Sequence, residues 1–209
     1  DALIDHFQPE GEIDLLGHSM GGNVVMQYAG IRPTRIRRLI NLEGFGLAAT
    51  KPEQAPARYA QWMDEMKALR QGEKALRSYP SAAAVAERLM KTNPRLSTDK
   101  AHWLAQHWAR PNAQGEWEIL GHPAHKVINA HLFHVEEILA LYQRITAPVL
   151  NVEASDNSMD QWWKGRYTLA EYHERLKSVR DVHSVVIQDA GHMMHHDRPL
   201  ELAQQIEAF

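Results

Sequence analysis

Ile13-Asp14-Leu15-Leu16-Gly17-His18-Ser19-Met20-Gly21-Gly22-Asn23-Val24-Val25-Met26-Gln27-Tyr28-Ala29 is the stretch from which the fold can be read. Its apolar start, Ile13 to Leu16, reads as a buried strand, and Asn23 to Ala29 reads as a helix. Between them lies Gly17-His18-Ser19-Met20-Gly21, a G-x-S-x-G turn. A sharp strand-to-helix turn crowds the backbone around the serine, and glycines at 17 and 21 remove the side chains that would collide there. Ser19 is then held in a strained conformation with its hydroxyl projecting from the strand end. The helix starts directly behind it, so free N–H groups and a positive dipole end face the same space. The Met20 N–H is the natural donor to an oxyanion forming there. A serine that merely caps a helix is the plainer alternative. It accounts neither for the extra glycine at 22 nor for the histidine loop found far downstream.

The totals narrow the function classes. The chain has 209 residues, room for one sizeable core or a core with a small insertion. Hydrophobic residues make up 44% and charged residues 23%, the balance of an ordinary globular protein. A net charge of −3 offers no basic footprint for nucleic acid. No apolar run has the length of a membrane span, and no charged-then-apolar leader opens the sequence. The absence of cysteine excludes disulfides, thiolate metal sites and cysteine nucleophiles, and with the lack of a leader it points to a cytoplasmic location.

Reading outward from the turn, Asp1 to Gln8 resembles the tail of a helix closed by Pro9-Glu10-Gly11. The helix after Ser19 runs to about Ile31 and stops before Pro33. Ile36 to Leu42 is a second strand, leading into the loop Glu43-Gly44-Phe45-Gly46. Strand, helix and strand in this order predict a parallel pair. From residue 48 to 146 strand signals nearly vanish. Tyr59, Trp62, Met63, Met66 and Leu69 recur at helical spacing with Gly72 beyond them. Ser81 caps an alanine-rich helix. Trp103, Leu104, His107 and Trp108 mark another helix, a small hairpin turns at Gln114-Gly115, and Leu132, Val135, Leu139 and Tyr142 mark the last helix. Strands return at Pro148 to Glu153 and His183 to Ile187, separated by a helix that opens at Thr168. Asp189-Ala190-Gly191-His192 follows the final strand, and a terminal helix starts near Pro199. The expected division is therefore core at 1–47, a helical insertion at 48–146, and core again at 147–209.

A serine hydroxyl needs a base to become a useful nucleophile, and the base is most often histidine. Of thirteen histidines, His192 alone sits behind a glycine in a loop directly after a predicted strand near the carboxyl terminus. In a parallel sheet the carboxyl ends of the strands share one rim, which places Ser19 and His192 together. His195 and His196 read as solvated or capping residues. The run Gly191 to His196 could suggest a metal, but His192 is claimed by the loop base and His195 and His196 by the start of the terminal helix, while His131, His134 and Glu137 read as a helix face, so no metal is expected. The imidazole requires an acid to fix its tautomer. Asp156, three residues past the strand ending at Glu153, is the preferred candidate, and the order Ser19, Asp156, His192 suits a strand-to-helix nucleophile. Glu43, in the loop after the preceding strand, is its competitor.

With these residues in view, the chain resembles an α/β-hydrolase with a helical cap. The resemblance rests on Leu15 to Gly22, on Leu39 to Gly46, on Ala147-Pro148-Val149-Leu150 with Asp156, and on Gly191-His192; the helical block carries no specific match. It implies a mostly parallel sheet with flanking helices, a serine nucleophile, no cofactor and a small-molecule substrate. Relatives with an aspartate nucleophile are disfavoured by Ser19. Those with serine cleave carboxylic esters, thioesters or the carbon–carbon bonds of diketones, and a carboxylic ester is the leading expectation; a non-catalytic ligand-binding protein of the same fold is the reading from another class. Glu43 matches a position where some relatives carry their acid. His18, Phe45, Trp62, Trp103, Trp108, Phe133 and Met193 are the candidate substrate-binding residues. The resemblance also implies several strands ahead of Ile13, where this sequence has only Asp1 to Gly11. The amino-terminal part of the fold is thus expected to be missing, leaving the nucleophile strand as an open edge able to pair with another segment.

Overall fold

The structure is a computed structural model describing residues 1–209. Its elements in chain order are α1 (Ala2–Phe7), β1 (Ile13–His18), α2 (Met20–Ile31), β2 (Ile36–Leu42), α3 (Ala55–Arg70), β3 (Ser78–Tyr79), α4 (Ala82–Thr92), α5 (Thr98–Trp108), β4 (Ala109–Pro111), β5 (Trp117–Ile119), α6 (Val135–Tyr142), β6 (Val149–Ala154), α7 (Met159–Trp163), α8 (Leu169–Leu176), β7 (Val182–Ile187), α9 (Met194–Asp197) and α10 (Pro199–Ala208). Two compact units are built from them, Asp1–Ala49 with Phe133–Phe209, and Thr50–Leu132.

The first unit is an α/β structure around a four-stranded, all-parallel sheet in the order β1-β2-β6-β7. Parallel sheets are covered on both faces, so their inner strands read as nearly continuous apolar runs. The two inner strands follow this rule: β6 is buried throughout, and β2 is buried at Ile36 and from Leu39 to Leu42. Alternation then sends neighbouring residues to opposite cores. Leu39 and Val149 join Val25, Met26 and Ala29 of α2 and Tyr172 and Leu176 of α8 on one face. Ile40, Leu42, Leu150 and Val152 join Ile187, Met194 and Leu202 on the other. β1 lies at one edge and pairs with β2, so the strand behind the serine is an edge strand in this sheet.

The expected break at residue 146 falls instead at Phe133, because α6 belongs to the sheet unit. Ile138 and Tyr142 of α6 lie in the same core as Val25 and Met26. A side chain at Gly30 would stand 2.3 Å from the Leu141 carbonyl oxygen, so α2 and α6 touch backbone to backbone. The Arg144 guanidinium adds a hydrogen bond to the Gly30 carbonyl, at 3.2 Å.

The second unit has three helices and a small antiparallel sheet in the order β3-β5-β4. The hairpin at Gln114-Gly115 is present, and β3 joins it although its two residues gave no strand signal. Val85, Ala86, Leu96, Ala101, Leu104 and Ala105 form its core. Ser81 caps α4 through the Ala84 N–H, as read from the sequence. The apolar stripe of α3 stays largely in solvent, with Tyr59, Trp62 and Met63 exposed. What ties α3 down is the Glu65 carboxylate, which accepts from Gln61, Lys74 and the Ile128 N–H, each at 2.9 Å. The Lys74 hydrogen bond is the first cause of a Glu65 pKa near 2.

Candidate active site

β1 delivers Ser19 to the sheet rim in a conformation that few side chains adopt. Its φ is +57° and its ψ −120°, and α2 begins at the next residue. The Ser19 N–H donates to the Leu42 carbonyl at 2.8 Å, which extends the β1–β2 ladder into the turn. A side chain at Gly17 would meet the Gly21 carbonyl oxygen at 2.3 Å, so Gly17 is required there. Gly21 contributes that crowding backbone, but its own missing side chain faces open space, contrary to the role read from its spacing. The second close approach belongs to Gly22 instead. A side chain there would lie 2.3 Å from Asn41 Oδ1 and 2.9 Å from the Gly44 Cα, and one on Gly44 would lie 2.7 Å from the Gly22 carbonyl carbon. The start of α2 is thereby pressed against the loop that follows β2.

That loop carries Glu43, also left-handed at φ +51°. Its N–H donates to the Val152 carbonyl at 3.0 Å, and its Oε1 accepts from the Ala154 N–H at 3.0 Å. The carboxylate is wholly buried and reaches His192, Nδ1 to Oε2 being 2.8 Å. A carboxylate only accepts, so Nδ1 carries the proton and a neutral His192 presents a bare Nε2. Nε2 stands 2.9 Å from Ser19 Oγ, with the geometry to accept the serine proton. Ser158 Oγ lies 3.4 Å from Nδ1 and 3.5 Å from Oε2, beside the same bond. Trp162 meets the imidazole edge-on, with ring centroids 4.4 Å apart.

Ser19 and His192 thus come together as read from the sequence, while Glu43 replaces Asp156 against the imidazole. Two consecutive facts decide between the acids. Glu43 leaves β2 at its first residue beyond the strand, in a conformation that turns the side chain under the histidine loop. Asp156 lies further along, exposed, with its N–H donating to the Ala190 carbonyl at 3.0 Å. The histidine loop has its own anchors: the Asp197 carboxylate accepts from the Gly191 N–H at 2.9 Å, and Asp189 pairs with Arg198 at 2.7 Å.

The other candidate residues are distributed unevenly. Phe45 is packed in the core, 3% exposed and edge-on to Tyr172 at 5.1 Å. Phe133 packs on the same core and lies under the Arg175 guanidinium, 5.8 Å from its ring centroid. Met193 precedes α9, half-buried. Trp62, Trp103 and Trp108 belong to the second unit, where the Trp103 ring lies tilted against His107 with centroids 4.4 Å apart. Met20 holds the first position of α2, so its N–H is among those that the helix leaves unpaired. Ser158 and Trp162 had no local signal in the sequence; Asn41 and Gly44 had one, a polar residue in a buried strand and a glycine two residues beyond the strand end.

His18 donates from Nε2 to the His192 carbonyl at 2.6 Å, clasping the strand end to the histidine loop. Its ring also meets that of His195, with centroids 4.7 Å apart. His195 is therefore packed rather than solvated, and its Nδ1 has no hydrogen-bond partner. Burial first, then the neighbouring His196 and His18, lowers the His195 pKa from 6.5 to about 4. Burial likewise lowers that of His18. Below pH 6.5 the unfolded chain binds protons that the folded site refuses, so stability falls with acidification over this window and is lost progressively down to pH 4. A His195→Gln variant should flatten this decline in melting temperature between pH 6.5 and 4, whereas wild-type protein should lose stability throughout it.

The glycine contacts make a second prediction. Gly44→Ala forces a methyl into backbone 2.7 Å away and should cost about 1–3 kcal/mol in thermal or urea unfolding. Gly21→Ala meets open space within a helix and should leave stability unchanged or raise it by about 0.5–1 kcal/mol. Equal losses in the two variants would contradict the packing described.

Comparison with known proteins places the chain. Among curated proteins none matches its sequence. Solved structures match its fold at low identity. The thioesterase domain from the curacin biosynthetic pathway is 21% identical at a TM-score of 0.77, covering 99% of this chain and 71% of that one. A hypothetical protein from Pseudomonas aeruginosa PAO1 is 22% identical at 0.81, covering 100% and 70%. An esterase of Mycobacterium tuberculosis is 18% identical at 0.66, covering 99% and 65%. At these identities they show a shared architecture. With the model of the alpha/beta hydrolase fold matched over residues 2–199, the chain belongs to the α/β-hydrolase family.

Proposed function

We propose that this protein is a serine hydrolase that cleaves a carboxylic ester by two-step acyl transfer, with Ser19, His192 and Glu43 as its triad. The observation carrying the proposal is the continuous hydrogen-bonded path from Ser19 Oγ through His192 to the buried Glu43 carboxylate. In the first step Oγ attacks the ester carbonyl carbon while its proton passes to His192 Nε2. The negative charge moves to the carbonyl oxygen, and the Met20 N–H at the start of α2 donates to it. Glu43 holds the imidazolium that results. Collapse of the intermediate expels the alkoxide, which takes the proton from Nε2. Water then repeats the sequence, giving up its proton to Nε2 as it attacks the acyl-serine; the carboxylic acid leaves and Ser19 is restored.

The oxyanion role of Met20 is supported by its place as the first helical residue behind Ser19. Trp162, exposed and edge-on to His192, presents an aromatic surface beside the catalytic imidazole and joins the proposal as a substrate contact. The test is turnover of p-nitrophenyl acetate and butyrate, alongside a thioester and a diketone, with mass spectrometry of Ser19 after a fluorophosphonate probe. Ester turnover with label on Ser19 supports the reading. Binding of the ester without turnover or label would assign the protein to a ligand-binding role, and thioester or diketone cleavage alone would change the substrate class.

A further inference from the structure

The sheet holds a row of residues unlike its surroundings. Register aligns Gly17 with Asn41, Asn41 with Asn151, and Asn151 with Ser184, across all four strands. Alternation puts Asn41 and Asn151 on the face of Leu39 and Val149, inside an apolar core. Both amides are buried, at 0% and 1% exposure, and Tyr172 of α8 covers them at 1%. Uncompensated, such burial is strongly unfavourable. Here the groups satisfy one another. Tyr172 donates its hydroxyl proton to Asn151 Oδ1 at 2.5 Å and accepts from Asn41 Nδ2 at 3.0 Å. Asn151 Nδ2 donates to the buried Glu153 carboxylate at 2.8 Å.

Stability alone does not explain the cluster, because apolar residues of similar shape would serve the core as well. Its remaining bonds show what it adds. Asn41 Oδ1 accepts from the Gly44 N–H at 3.0 Å, and Asn41 Nδ2 donates to the Gly44 carbonyl at 3.2 Å. One carboxamide thus grips both backbone groups of the residue immediately after Glu43. Glu43 sits at the apex of this turn in a left-handed conformation that a glutamate does not choose on its own. The turn is closed from the other side by α2, through the Gly22–Gly44 approach.

We infer that Asn41, oriented by Tyr172 and Asn151, is the positioning residue that sets the Glu43 turn and so holds the carboxylate on His192 Nδ1. This rests on the serine hydrolase reading for its effect on turnover, but its effect on the Glu43–His192 bond stands apart from that reading. A polar core cluster thereby controls a residue that it never touches directly, through the backbone of Gly44.

The experiment compares wild-type protein with Asn41→Leu, Tyr172→Phe and Glu43→Gln. Proton NMR follows the downfield Nδ1–H resonance of His192, assigned by its loss in Glu43→Gln. Ester hydrolysis gives kcat, KM and their pH profiles, and thermal unfolding checks the fold. Folded Asn41→Leu should lose or broaden the resonance. Its kcat should drop on the order of 10–100-fold, by analogy with residues that orient the ligands of a catalytic metal through hydrogen bonds. KM should stay within about twofold, since ground-state binding is untouched. The acid limb of its pH profile should move in the direction seen for Glu43→Gln. Tyr172→Phe should show the same changes at smaller size, and it decides the matter by the same signals if Asn41→Leu does not fold. A folded variant that keeps the wild-type resonance and pH profile overturns the inference, as does wild-type protein lacking the resonance. Wild-type protein that shows the resonance but no hydrolysis defeats the hydrolase reading instead, and the NMR comparison of the variants then decides the positioning role alone.

Discussion

Ser19→Ala should abolish ester turnover, with kcat falling on the order of 10⁶-fold, the loss typical of a triad nucleophile. The substitution removes one oxygen atom from a side chain that the fold does not rely on for packing. The turn is kept by Gly17 and by the bond from the residue 19 N–H to the Leu42 carbonyl, which alanine preserves. Folding and melting temperature should therefore change little. KM, where measurable, should stay near wild type, because the missing interaction is made only as the reaction proceeds. Steady-state hydrolysis of a p-nitrophenyl ester, with intact-mass detection of fluorophosphonate labelling, makes the measurement. Persistent labelling or turnover in folded Ser19→Ala would remove Ser19 from the mechanism.

Glu43→Gln should lower kcat by about 10⁴-fold, by analogy with the loss when the acid of another serine triad is made an amide. The buried carboxylate fixes the proton on His192 Nδ1 and so leaves Nε2 free to accept from serine. An amide in its place is able to donate to Nδ1, which favours the wrong tautomer, and it lacks the charge that stabilises the imidazolium. Asp156→Asn should have a far smaller effect, because Nδ1 is already occupied by Glu43 and Asp156 lies exposed beyond β6. Both variants belong in one pH–rate series. Equal stability with the opposite ranking of kcat would return the role to Asp156.

The two carboxylates show where sequence reading stops. Glu43 follows β2 and Asp156 follows β6, and these strands are neighbours in the sheet. Both acids therefore reach the same rim, and spacing along the chain does not separate them. The choice was made by a left-handed turn at Glu43, the pinning of Gly44 by Asn41, and a free Ala154 N–H one strand away to hold the second carboxylate oxygen. The last of these joins positions 111 residues apart, and the Asn41 amide that pins Gly44 is itself bonded to Asn151, 110 residues away. The core placement of Phe45 was hidden for a related reason: residues in a loop near a site divide between cavity and core according to which way the backbone turns them.

What the sequence determined by itself was the local chemistry of short segments. The strand, turn and helix around Ser19 were legible because a sharp turn restricts residue types within a few positions, and the parallel order of β1 and β2 followed from one helix between two apolar runs. The His192 loop was legible because a strand end and a glycine mark it. Tertiary structure alone decided which acid meets the imidazole, that Gly22 and not Gly21 makes the close approach, that α6 packs with the sheet, and that His195 is packed against His18. Each of these depends on two surfaces meeting across the fold, and the free energy of such a meeting lies in the fit between them, which neither segment encodes alone.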